Sequence, residues 1–126
     1  MKATKLILSV FILTLFSCDN NNLSGAGKVV FYTNAQAMLN CGNFNVDVYV
    51  DNRSVGSISE PYVEDNKPAS VTTASTLMLE KKTGNYSYTA KLNCGQYGEW
   101  HGTVDILPDS TICVFLDIHN CNTKSD

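Results

Sequence analysis

Two histidines, five cysteines and a scatter of acids are the side chains in this 126-residue sequence whose types and spacing suggest chemistry. Glu99 and His101 stand two apart, so on an extended strand they share a face, and a carboxylate beside an imidazole can support a general base. Alternation sends Trp100 and Gly102 to the opposite, inward face, so the pair reads as a solvent-facing contact with no nucleophile motif beside it. His119 has no better claim. Cys113, His119 and Cys121 are metal-ligating types, yet zinc sites use tight Cys-x₂₋₄-Cys or His-x₃₋₅-His pairs, and neither pair occurs here. Asp47, Asp51 and Asn52 lack the spacing, the glycine and the distal glutamate of an EF-hand loop and read as strand-and-turn usage. No metal and no cofactor is expected.

Residues 59–70 hold Glu60, Tyr62, Glu64 and Asp65 between and around Pro61 and Pro68, a composition that reads as a long exposed loop. Long loops on rigid scaffolds often carry recognition, and a tyrosine among acids suits carbohydrate or cationic peptide contacts. These four residues are the candidate ligand loop.

The amino terminus is organised differently. Lys2 and Lys5 precede LILSVFILTLF at residues 6–16, a length that fits the apolar core of a signal peptide and falls short of the roughly 20 residues of a spanning helix. Leu15-Phe16-Ser17-Cys18 follows and resembles the lipobox of bacterial lipoproteins. The resemblance implies a diacylglycerol thioether on Cys18, cleavage after Ser17 and further acylation of the new amino terminus. Several buried acyl chains, at about 0.8 kcal/mol per CH₂, would hold the product on a membrane. Residues 18–27 are polar and glycine-bearing and read as a flexible tether.

Export changes the meaning of the other thiols. Cys41, Cys94, Cys113 and Cys121 are an even set in an oxidising compartment, which reads as two disulfides with three possible connectivities. If residues 100–106 and 112–118 form a hairpin with Leu107 opposite Ile112, Cys121 falls beside Gly98, near Cys94. That register favours Cys94 with Cys121 and Cys41 with Cys113. The repeated Leu39-Asn40-Cys41-Gly42 and Leu92-Asn93-Cys94-Gly95 offers Cys41 with Cys94 instead.

From Lys28 onward the apolar pattern has period two. Residues 28–33 are β-branched and aromatic, and Val46, Val48 and Val50 alternate with Asp47 and Tyr49. The turn composition at 51–54 leads into a further extended run at 55–58. Residues 77–79 are a short strand; Tyr86, Tyr88, Ala90 and Leu92 then alternate with polar neighbours. Trp100, Gly102, Val104 and Ile106 share one face, and Ile112, Val114, Leu116 and Ile118 share one on the return. No sustained helical stripe appears, although residues 35–39 can form a helical turn. The pattern predicts an all-β fold: a single antiparallel β-sandwich of about seven strands over residues 28–126.

The series Val48-Tyr49-Val50-Asp51, Val55-Gly56, Gly84 to Ala90 and Trp100 to Ile106 resembles PEGA-type and other prealbumin-like modules over most of residues 46–118. The resemblance implies a prealbumin-like or Ig-like sandwich that acts as an extracytoplasmic binding or spacer domain and brings no catalytic residues. Asp109-Ser110-Thr111, in a turn, resembles the acceptor used by some bacterial O-glycosylation systems.

Hydrophobic residues make up 44% and charged residues 17%, enough apolar material for one core. The formal charge is −3, and loss of Lys2 and Lys5 with the leader takes it to −5, leaving no basic footprint for nucleic acid. The expectation is a non-catalytic binding or adhesion module, anchored by lipid to the bacterial cell membrane or outer membrane and facing the periplasm or exterior. Its partners would be the membrane and a glycan or an envelope protein; the alternative is a structural spacer or accessory subunit of an envelope assembly.

Overall fold

The computed structural model describes residues 25–35, 44–93 and 97–124. Cys18, Cys41, Cys94 and most of the expected helical turn at 35–39 lie outside them. Eight strands follow in order: β1 (Ala26–Thr33), β2 (Asn45–Val50), β3 (Arg53–Ile58), β4 (Leu77–Lys82), β5 (Gly84–Asn93), β6 (Tyr97–Ile106), β7 (Thr111–Leu116) and β8 (Asn122–Lys124). β1 begins two residues inside the segment read as tether.

The strands form two sheets, ordered β4-β1-β7 and β3-β2-β5-β6-β8. The alternation dictates what lies between them. Val29 and Phe31 of β1, Leu77 of β4 and Leu116 of β7 meet Val46, Val48, Val50, Ile58, Ala90, Leu92, Trp100, Val104 and Ile106 of the larger sheet. Each fully buried side chain of this size contributes about 1.5–3 kcal/mol, so this shared apolar layer sets the register of every strand that feeds it. The sandwich expected from the alternation is therefore the fold observed, with antiparallel pairing everywhere except between β1 and β7, which run parallel.

The hairpin at β2–β3 is made where the composition placed it. Asp51 and Asn52 both take left-handed φ, 49° and 65°, the two-residue turn that matches strand twist. Asp51 is further occupied: its carboxylate accepts from the Ser87 backbone N–H at 3.0 Å and the Ser87 hydroxyl at 3.1 Å.

The expected hairpin of residues 100–106 with 112–118 is not formed. β6 stays in the five-stranded sheet, and the turn after it, with Asp109 at φ 53°, carries the chain across to the other sheet. That turn is latched to β1 by Asp109 N–H on Ala26 O (2.9 Å) and Lys28 N–H on Ser110 O (2.8 Å). β7 then pairs with β1, Val29 opposite Ile112, while β8 takes the edge beside β6. Two strands with apolar inner faces satisfy their side chains equally well side by side or facing each other across a core. Alternation alone does not distinguish the two.

Residues 59–76, of which 59–70 were expected as an exposed loop, fold back over the outer face of the three-stranded sheet. Tyr62 N–H donates to Thr33 O at 2.8 Å, the Ser70 and Thr111 hydroxyls meet at 3.2 Å, and Met78 N–H donates to the Thr72 hydroxyl at 3.1 Å. Pro68 and Thr76 of the segment are buried, and Val30, on the outer side of β1, is fully covered. Glu60, Glu64 and Asp65 are exposed as expected.

The open ends of β1 and β7 are tied by polar contacts. The buried Thr33 hydroxyl donates to Leu116 O (2.7 Å) and accepts from Ala35 N–H (3.1 Å). Asn34 accepts from Ile118 N–H and donates to Asp117, whose backbone carbonyl takes the Trp100 indole N–H at 2.7 Å. Asp117 caps a single 3₁₀ turn at Ile118–Asn120.

Candidate functional site

The parallel register of β1 and β7 places Tyr32 opposite Phe115 on the outward face of the smaller sheet. Their rings stack at 4.9 Å with 19° between planes, and Tyr62, brought by the folded-back segment, meets Tyr32 edge to face at 5.4 Å. Three elements distant in sequence thus contribute one aromatic cluster, with Phe115 45% exposed at its border. Arrangements of this kind are favourable beyond their buried area, by about 0.5–1.5 kcal/mol per pair.

Polar groups frame the rings. The Tyr62 hydroxyl donates toward the Glu64 carboxylate (3.1 Å) and the Asn66 side-chain oxygen (3.3 Å). Desolvation first, and then the hydrogen bond and charge of Glu64, hold the Tyr62 phenol above its usual value. Desolvation and the neighbouring Cys113 do the same for Tyr32. Beside Tyr32 an open hollow of about 510 Å³ is lined by Lys67, Ser70, Thr111 and Cys113 among others. Of the candidate ligand loop, Tyr62 and Glu64 join this site, whereas nothing observed ties Glu60 or Asp65 to the rings.

Tyr32 and Phe115 were missed by the sequence reading, although a signal was present. With Val114 and Leu116 facing inward, Phe115 must face outward, and an aromatic residue at an outward position is the informative exception.

The two described thiols face different environments. Cys113 lines the hollow on the outer side of the three-stranded sheet. Cys121 packs against the larger sheet, its sulfur filling the space where a side chain on Gly98 would begin. The expectation that Cys121 lies beside Gly98 is met, but through β8 pairing with β6 (Gly98 opposite Thr123), not through a β6–β7 hairpin. The two thiols are free and are not bonded to each other. Burial raises the Cys121 thiol, outweighing the Glu99 backbone N–H that donates to it, so it stays protonated and a poor nucleophile.

Glu99 and His101 do share the outward face of β6. His101 Nε2 lies 2.9 Å from Glu99, and its Nδ1 lies 3.3 Å from the Thr89 hydroxyl on β5. A hydroxyl, an imidazole and a carboxylate therefore stand in a row across a flat sheet face. The backbone groups around them are committed to the β5–β6 ladder and, at Glu99, to the Cys121 sulfur, so no amide donors converge where an oxyanion would form. His119 bonds Asp117 at 2.8 Å within the 3₁₀ turn. No group of three His, Cys, Asp or Glu side chains among the described residues is placed to hold a metal ion, and Asp47 instead accepts from Asn45 at 2.8 Å. The Ser110 hydroxyl donates to Leu107 O at 2.9 Å inside the crossover turn.

No family model matches this chain, and neither a curated protein nor a solved structure matches it.

Proposed function

We propose that the protein is a lipid-anchored, extracytoplasmic binding module of a bacterial envelope, without catalytic activity of its own. The anchor reading rests on the leader and on Cys18 directly after it. The binding reading is carried by one observation: Tyr32, Tyr62 and Phe115 form a partly exposed aromatic cluster on a sheet, framed by donors and acceptors. Rings held by a strand pair and a hydrogen-bonded segment lose little freedom on contact, which favours recognition.

The test is expression of the full chain in a bacterial host, followed by fractionation, intact mass and chemical cross-linking. The expected product sits in the membrane fraction, begins at an acylated Cys18 and retains a glycan or protein partner through the Phe115 face. Cys18→Ser should release it from the membrane. Recovery of an unmodified Cys18 in the cytosol would refute the anchor.

A structural spacer that joins a neighbour through a sheet edge is the second reading. It is favoured by β7, an edge strand whose six residues, Thr111–Leu116, carry no charge, in contrast to Glu80, Lys81 and Lys82 on the edge strand β4. A partner that binds equally well to the Phe115→Ala protein would favour this second reading.

A further inference from the structure

We infer that the ligand of the Tyr32–Tyr62–Phe115 surface is a carbohydrate, bound with a pyranose ring against the exposed face of Phe115; this rests on the binding-module reading above. The mixed polarity of the surface is what selects the ligand. Glu64 and Asn66 present oxygens around the Tyr62 hydroxyl. The hollow beside Tyr32 is lined by Lys67 and the hydroxyl-bearing Ser70 and Thr111, with Pro68 and Ile112 as its apolar wall. A cationic peptide would find acceptors at Glu64 and Asn66 but a lysine in the hollow. An anionic ligand would meet the reverse. A sugar satisfies both, because each hydroxyl donates and accepts while its C–H face covers an aromatic ring. The hollow also falls in the 300–1,000 Å³ range of small-molecule sites.

The experiment uses the full-length protein purified from membranes in mild detergent. It is run by affinity electrophoresis and on an array of bacterial and plant polysaccharides, peptidoglycan fragments included, beside an array of lysine- and arginine-rich peptides. The expected result is retention by at least one polysaccharide, weakened about tenfold or more by Phe115→Ala and by Tyr62→Ala. Thr103→Ala, exposed on the far sheet, should leave retention unchanged. Both ring variants alter partly exposed residues, and matching thermal unfolding with the parent protein confirms that they are folded. Retention indifferent to Phe115→Ala overturns the inference. Binding to peptides alone, lost in Phe115→Ala, overturns the carbohydrate assignment and leaves the binding module standing. No retention on either array overturns both.

Discussion

Thr33 joins the two parallel strands through one hydroxyl, and its replacement separates hydrogen bonding from packing. The residue is fully buried; its hydroxyl donates to Leu116 O at 2.7 Å and accepts from Ala35 N–H at 3.1 Å. Thr33→Val keeps nearly the same shape, adds no cavity and leaves one carbonyl and one amide buried without partners. At about 1–3 kcal/mol for each orphaned group, the loss is roughly 2–6 kcal/mol. Thr33→Ser retains both bonds and deletes one buried methyl, costing about 1 kcal/mol. Equilibrium urea unfolding reads the difference directly. With a slope of about 1.5 kcal/mol/M, the valine variant should lose about 1.3–4 M of midpoint and the serine variant under 1 M, with the slope unchanged in both. A valine variant as stable as the serine variant would show that the β1–β7 junction is held by packing, and the reasoning given for it would be wrong.

Four other outcomes can be checked. Gly98→Ala should destabilise the fold by about 1–3 kcal/mol, because the new methyl meets the Cys121 sulfur, and adding Cys121→Ala should restore most of the loss in thermal unfolding. Asp117 is held below its usual 3.8 by the His119 backbone N–H first and the His119 side chain next. Its anion therefore stabilises the fold above that value, and the contribution disappears as pH falls through the lower folded value. Melting temperatures taken between about pH 2 and pH 6 should accordingly slope less steeply for Asp117→Asn than for the parent. Non-reducing peptide mapping of the purified protein should yield no Cys113–Cys121 peptide, because those two thiols are free and face different environments in the fold; recovery of that peptide would contradict their placement. Intact mass of the same material should decide Ser110, where an added hexose would mark the turn as an acceptor.

Period-two alternation determined which residues of β2, β5 and β6 face the core, because an apolar face has only one place to go; in β1 Val29, Val30 and Phe31 are all buried, and in β7 Leu116 is buried while Ile112 is 38% exposed. It also marked Glu99 and His101 as outward and Asp51-Asn52 as a turn, since both follow from local geometry. The four candidate loop residues were legible as a group, but their division was not: Tyr62 is drawn onto the sheet while Glu60 and Asp65 stay in water. A segment's destination depends on the surface beneath it, here Val30, Tyr32 and Phe115, which lie tens of residues away in the chain.

Pairing was the larger tertiary decision. Ile112, Val114 and Leu116 demand an apolar neighbour and accept either β6 beside them or β1; the backbone latch from the crossover turn to Ala26 and Lys28 selected β1. That choice stacked Tyr32 on Phe115, separated Cys113 from Cys121 and created the candidate site. The sequence alone thus determined the all-β class and most of the inward faces, because hydrophobic burial is local and nondirectional. Only the tertiary structure decided which strands met, because hydrogen-bonded partners are chosen by geometry between segments and not by the composition of either one.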